Sequence, residues 1–356
     1  MSIATQPAPV AVEERVAAHV RRGRATARTR RLTIALVLAA GVATVAAVSL
    51  CVGESLISLP DVLSTLAGQG SRSTNYVILE LRLPRVITAI LVGIGFGMSG
   101  AVIQSLLGNP LASPDVIGIS TGASAAAVVG IVVFGLAGLG VSAAALAGAL
   151  LTAAAMYLLA WRNGVTGYRL ILVGIGLAAL LLSVVSYFMT RAQVTSASEA
   201  LVWISGSLAG RNWSQAVPLA IALAVLVPAT ALLGGVLGML GLGDDAAKGL
   251  GVPVQQVRLG LLVGAVAIAG VATAATGPIA FVALLAAPIG RRLAADGGPA
   301  LLPSALVGAL IVLVADFAAQ HAPGLPVLPV GVLTGAIGAP YLLFQLAAMN
   351  RGGRGG

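Results

Sequence analysis

Residues 80–125 read ELRLPRVITAILVGIGFGMSGAVIQSLLGNPLASPDVIGISTGASA. Two arginines, Arg82 and Arg85, flank Pro84, and an apolar run of about 22 residues follows. At ~1.5 Å per residue, that run is long enough for a helix to cross a ~30 Å hydrocarbon core. Gly108-Asn109-Pro110 breaks it, and after Pro114-Asp115 the chain turns apolar again, so two membrane helices joined by a short polar hinge are expected. Gly93, Gly97 and Gly100, with Ser99 and Ala101, leave one face of the first helix nearly bare, where a neighbouring backbone can approach closely.

The composition agrees with a lipid environment. The 356 residues are 58% hydrophobic and 9% charged, with a mean hydropathy of +1.04, against roughly 25% charged residues in a soluble domain. The 46 glycines suit close helix packing in lipid. A net charge of +9 would suit nucleic acid if the basic residues formed one patch, but they are dispersed between apolar runs, so no nucleic-acid partner is expected and the charge reads as topological. The single cysteine, Cys51, allows no intramolecular disulfide, and Leu50 before it is a poor fit to a lipoprotein attachment signal.

Apolar periodicity outlines about ten spans: Leu32–Val52, Val86–Leu107, Val116–Phe134, Gly140–Trp161, Leu170–Met189, Ala216–Leu237, Leu259–Ala275, Ile279–Ile289, Leu301–Ala318 and Val330–Leu346. The expected architecture is an all-α membrane domain over residues 32–347, between an Arg-rich tail of residues 1–31 and a short tail of residues 348–356. Ten spans place both termini on one side. That side holds fifteen Lys and Arg residues, seven in the first tail alone, against five (Arg72, Arg82, Arg85, Arg191 and Arg211) on the other. The positive-inside rule then makes both termini cytoplasmic and the protein a multi-pass component of the cytoplasmic (inner) membrane. In the outer loop Thr190–Ser214, a short interfacial helix is expected, with Trp203 and Trp213 as interfacial anchors.

Several chemistries are not supported. No GxxxxGK[ST] motif occurs, so the chain is not expected to cradle nucleotide phosphates or to be an enzyme by itself. GFGMSG, Gly95–Gly100, fits GxGxxG but lies inside an apolar span, where packing glycines are the better account. His19 and His321 fall on opposite sides, leaving no metal site and no triad. Acidic residues are not expected in the buried interior, and Asp316 reads as a solvated position at the outer end of the ninth span. Gln104 and Asn109 are candidates for hydrogen bonds between helices, and Gly277-Pro278 breaks a helix whose freed carbonyls need partners.

The most hydrophilic internal segment on the expected cytoplasmic side is LGLGDDAAKGLGVPVQQVR, Leu240–Arg258. Asp244 is a good N-cap, Asp245 complements the helix dipole, Gly249 and Gly251 end the turn, and Pro253 can start a second short helix. The result is a compact knob of small residues, Asp244 to Val252, with Ala246, Ala247, Lys248 and Leu250 inside it.

RLPR, then GxxxSGAxxQ, then NPLAxPxxxGxxxGA resembles the permease family of ATP-driven ABC importers for ferric siderophores, haem and vitamin B12 (the FecCD/BtuC-like family). The resemblance runs from Leu32 to Leu346. ATGPIAFVALLAAPIGRRL (Ala275–Leu293) departs from it where Ala287-Pro288 replaces a usual proline-histidine, and Gln320 and Val327 stand where an arginine and a glutamate are common. WISGSLAGRNW is similar to the ferric-enterobactin branch. The resemblance implies that Asp244–Val252 couples to an ATPase subunit, with Arg291 and Arg292 as further candidates. It implies that Arg82 and Arg85 receive an external binding protein, and that Ser183, Ser186 and Thr190 line the translocation path. It also implies two ATPase subunits carrying ATP and Mg, a second permease forming a related heterodimer, and no cofactor on this chain. The expected function is import of ferric siderophore, a catecholate being the first choice, by alternating access. Alternatives are vitamin B12 or haem through the same machine, or a stand-alone secondary transporter.

Overall fold

The structure, a computed structural model, describes residues 9–161, 167–295, 298–322 and 328–352; Val327 lies outside them. Among the described residues the chain is helical, without strands. The helices are α1 (Pro9–Cys51), α2 (Leu59–Leu66), α3 (Arg72–Asn75), α4 (Leu83–Leu107), α5 (Ile119–Phe134), α6 (Leu139–Ala160), α7 (Gly167–Arg191), α8 (Val194–Ile204), α9 (Trp213–Leu232), α10 (Gly234–Leu240), α11 (Asp244–Gly249), α12 (Val254–Thr276), α13 (Val282–Ala294), α14 (Leu301–Gln320) and α15 (Val330–Gly352). A π-helical stretch, Tyr76–Arg82, joins α3 to α4 as one rod.

Seven of these helical stretches are long and apolar enough to cross a membrane. They match the first, second, fourth, fifth, sixth, seventh and ninth apolar runs read from the sequence. Of the other three runs, the third and eighth form shorter helices, and the tenth is the apolar part, Val330–Gln345, of α15. α5, at 16 residues, reaches only about 24 Å at the helical rise, short of a ~30 Å core. The eighth run is displaced along the chain: α13 begins at Val282 and carries Arg291 and Arg292 in its last turn. The sixth run divides, because α9 ends at Leu232 and α10 begins at Gly234.

α4 is the central helix. Its residues from Gly95 to Gln104 are buried all round, as expected of a helix with no polar face, and it packs on α14, α12, α13, α9 and α1. The packing runs through glycine. A Cβ on Gly93 would overlap the backbone of Gly308 and Ala309, one on Gly97 would meet the Ser304 carbonyl, and one on Gly100 the Ala283 carbonyl. Gly308 returns the fit by pressing on the Gly93 carbonyl. Main chain therefore touches main chain along the α4–α14 seam, which suits membranes, where dispersion contacts replace the hydrophobic drive. Two apolar clusters flank this axis, one built on α5–α7 and one on α1, α4, α13 and α14, with α12 contributing to both.

Two helix ends are fixed by local residue type. Gly108 ends α4 in the left-handed region at φ 59°, where a glycine carries no Cβ penalty. Asn212 and Gln215 form a reciprocal capping box on α9.

Replacing Gly97 with Leu is expected to cost about 1–3 kcal/mol through overpacking, seen as a lower melting temperature in detergent. Gly335→Ala, where an added Cβ meets nothing within 4 Å, should leave that temperature unchanged.

Candidate functional site

The bundle has two chemically distinct ends. At one, Arg82 donates through Nη1 to the Leu50 carbonyl and through Nη2 to the Ser55 carbonyl, each at 2.7 Å, bracing α1 and its following loop against α4. Arg85 makes a two-pronged bond to Asp316, Nε to Oδ2 at 3.0 Å and Nη2 to Oδ1 at 2.8 Å. Gln320 Nε2 adds a third donor to Asp316 Oδ2 at 2.9 Å. Asp316 is therefore not a solvated residue, contrary to the sequence reading. Its side chain is only 7% exposed, because Arg85 on α4 and Gln320 one turn further along α14 supply the donors that water would otherwise provide.

On the same end three chain breaks interlock. α12 stops at Thr276, and Gly277 turns away at φ 77°. The Thr276 carbonyl is taken by the Ser207 N–H at 2.9 Å, and the Gly206 carbonyl by the Gly331 N–H at 3.0 Å. Cβ atoms on Gly206, Gly277 and Gly331 would strike the carbonyls of Pro278, Trp203 and Ser205 respectively. The two tryptophans here are not free interfacial anchors. Trp203 is buried within this junction, and Trp213 donates from Nε1 to the Leu79 carbonyl at 2.9 Å.

Beside the junction lies a cavity of about 390 Å³, bordered by Asp115, Ser120, Ser124, Ser205, Pro278 and Gly331. Ser120 Oγ donates to Asp115 Oδ1, while Asp115 Oδ2 is buried and has no hydrogen-bond partner among the described residues. With Asp316 this makes two buried carboxyl groups, where the sequence reading placed none. The signal was present as S-P-D directly before a helix, a pattern in which the acid can bond back to the first turn. Leu182 and Val185 of α7 also border this cavity. Ser183, Ser186 and Thr190 lie on exposed faces of the same helix, with Ser183 Oγ bonded to the Ala179 carbonyl and Thr190 Oγ1 to the Tyr187 carbonyl. The structure does not bring those three into the cavity.

At the other end, Gln104 links α4 to α13 by donating to the Leu284 carbonyl at 3.2 Å and accepting from Arg291 Nη2 at 2.6 Å. Asn109 acts locally: its Oδ1 accepts the Leu111 N–H at 2.9 Å across Pro110, a turn rather than a bond between helices. The segment after α10 forms the knob. Its N-cap is Gly243 at φ 98°, and Asp244 is the first helical residue. Asp244 Oδ1 instead accepts from Arg258 Nη2 on α12 at 2.8 Å, because a side chain one position inside the helix points at the neighbouring helix rather than back over its own first turn. Pro253 starts no short helix; it is the N-cap of α12, 23 residues long. Ala247 is buried, while Ala246, Gly249 and Leu250 are exposed. Of the described basic residues, Arg30, Arg31, Lys248, Arg258, Arg291 and Arg292 are among those at this end, and Arg72, Arg82, Arg85, Arg191 and Arg211 lie at the other.

Among the described residues, a helical bundle with seven helices long and apolar enough to cross a membrane defines a multi-pass membrane protein. The FecCD transport family matches residues 23–348, and the chain belongs to that family. It is 39% identical to the ferric enterobactin transport system permease protein FepG of Escherichia coli K12, over 91% of this chain and 98% of the relative. It is 39% identical to the Fe(3+)-citrate import system permease protein YfmE of Bacillus subtilis 168, over 89% and 95%. Among solved structures it resembles a metal-chelate type ABC transporter in an inward-facing conformation, with a TM-score of 0.77 and 27% identity, covering 89% of this chain and 99% of the other. The relatives are permease subunits, so the chain is a transport subunit of an ABC importer working with ATPase and substrate-binding partners.

Asp316→Ala should cost on the order of 3 kcal/mol by stranding the Arg85 charge, read from chemical or thermal unfolding in detergent. The double variant Arg85→Leu/Asp316→Leu should recover most of that loss.

Proposed function

We propose that this chain imports ferric siderophore, a catecholate first, across the cytoplasmic membrane as one of two permease subunits in a complex with two ATPases and an external binding protein. The observation that carries this reading is the continuity of α12. Its first turn is tied to the knob by the Asp244–Arg258 ion pair, and its last turn ends at Gly277 beside the cavity. A rigid rod of about 34 Å at the helical rise thus joins an exposed surface of small and apolar residues to the wall of the cavity. Motion imposed on the knob moves that wall.

In this reading the basic end is cytoplasmic by the positive-inside rule. ATP and Mg reside on the ATPase subunits, whose closure displaces Ala246 to Leu250. The cavity opens toward the second permease, a related but different chain, and the exposed hydroxyls of Ser183, Ser186 and Thr190 lie on the helix that faces it. The external binding protein docks on the opposite end, where Arg82 is the part-exposed guanidinium and Arg85 its internal brace.

Cells lacking this gene are expected to lose uptake of radio-iron-loaded catecholate siderophore while keeping uptake of labelled vitamin B12 and haem. The wild-type gene should restore uptake, and Leu250→Glu or Ala246→Glu should reduce it at least tenfold at normal membrane abundance. Transport that survives the knob variants would point to a carrier working alone. Loss of vitamin B12 or haem uptake instead would keep the importer and overturn the substrate.

A further inference from the structure

The short helix α2, on the loop between α1 and α4, carries an exposed stripe of leucines. Leu59, Leu63 and Leu66 follow the i, i+4, i+7 spacing of one helical face, and they are 49%, 59% and 46% exposed. Leu56, just ahead of the helix, is also exposed. Val62 and Thr65, on the adjoining face, are buried, so the helix rests on the bundle by one side and leaves the leucines beside that contact. At 100° per residue, Asp61 and Ser64 fall on the far side from the stripe. The helix is fixed locally, with Ser58 Oγ accepting the Asp61 N–H as an N-cap.

The preceding loop sets the height of α2 along the bundle. The membrane-crossing part of α1 runs from Thr29 to Cys51, about 34 Å at the helical rise, which brings Cys51 to the edge of a ~30 Å hydrocarbon core. The Ile57 N–H bonds the Cys51 carbonyl at 2.9 Å, and Leu59 follows two residues later, at most ~7 Å of extended chain. α2 packs on α1 and on the π-helical stretch Tyr76–Arg82. Val48, about one turn from the end of α1, is exposed, and so is Tyr76, a residue type that favours the headgroup level.

From this placement we infer that α2 lies in the headgroup region of the bilayer, with Leu59, Leu63 and Leu66 set among the acyl chains as an interfacial anchor. The inference needs only that the chain spans the membrane; it depends neither on which end faces the cytoplasm nor on the transported substrate. The chemistry of the stripe fits lipid better than a soluble partner. Leucine is under-represented among the residues that dominate protein–protein interfaces, where tryptophan, tyrosine and arginine lead. A helix with one apolar face and a polar far side is instead the form that lies along a membrane surface. The anchor has a mechanical consequence. Arg82 Nη2 holds the Ser55 carbonyl at 2.7 Å, so an α2 held by lipid steadies the loop on which that guanidinium rests.

The test uses full-length protein carrying Leu59→Cys, Leu63→Cys, Leu66→Cys, Asp61→Cys or Ser64→Cys, one at a time, in a Cys51→Ser background. Each is labelled with an environment-sensitive fluorophore and placed in nanodiscs of phosphatidylglycerol and phosphatidylcholine, where both membrane faces are open to a soluble quencher. A phospholipid doxyl-labelled near its glycerol should quench the three leucine positions about threefold more strongly than Asp61 and Ser64, and iodide should show the reverse order. Iodide reaching all five alike would overturn the proposal and give the stripe to a soluble partner. Lipid quenching of all five alike would also overturn it, because the helix would then be immersed on every side. The native cysteine background gives a second reading. Leu63→Gln/Leu66→Gln, which leaves the buried Val62 in place, should speed amide hydrogen exchange across Leu59–Leu66 by about tenfold in the same nanodiscs. Exchange unchanged by the two glutamines would refute the anchor.

Discussion

The closeness of α4 to its neighbours is the constraint on which the structure depends. Gly93, Gly97 and Gly100 recur at intervals of four and three, so they share one helical face. That face lies on the backbone of α14 and α13 rather than on their side chains. Lipid tails are as apolar as leucine, so apolar side chains gain little by meeting each other there, and the advantage lies in dense contact between surfaces that lipid cannot match. The glycine composition is thus a packing device, and the central position of α4 follows from it.

Around this axis, polar groups are used sparingly and in closed sets. Arg85, Asp316 and Gln320 join α4 to α14 at one end, and Gln104 with Arg291 joins α4 to α13 at the other. Each set is satisfied internally, as a low-dielectric interior demands. Asp115 differs, with one oxygen bonded to Ser120 and the other buried, without a hydrogen-bond partner among the described residues, at the edge of a cavity. Such a group belongs where water or a passing ligand can supply a donor.

The broken helices have a related logic. The chain interrupts α12 at Gly277, where the segment that follows α8 takes up the Thr276 carbonyl and is itself bonded by the Gly331 N–H at the start of α15. Three glycines allow three backbones to meet there, where any side chain would force them apart. Irregular backbone of this kind is tolerated in a membrane protein only where protein or a wet cavity supplies the partners. Here the junction and the cavity adjoin.

Local chemistry made much of this legible in advance. Runs of apolar residues specify helices because the backbone in lipid must satisfy itself, and the glycines, prolines and arginines of residues 80–125 mark where those helices begin, break and pack. The knob was legible as the most hydrophilic internal stretch on the expected cytoplasmic side, rich in small residues. What the sequence could not settle were the pairings over long separations. Nothing near Asp316 reveals that Arg85, 231 positions away, lies against it, so a paired, buried acid read as a solvated one. Asp244 read as a cap because its partner Arg258 lies on the next helix, and Trp203 read as an anchor because the junction that buries it is assembled from three distant segments. Segment identity is decided by interactions within a few residues, whereas the burial of a charge depends on which segments meet, and only the tertiary packing decides that.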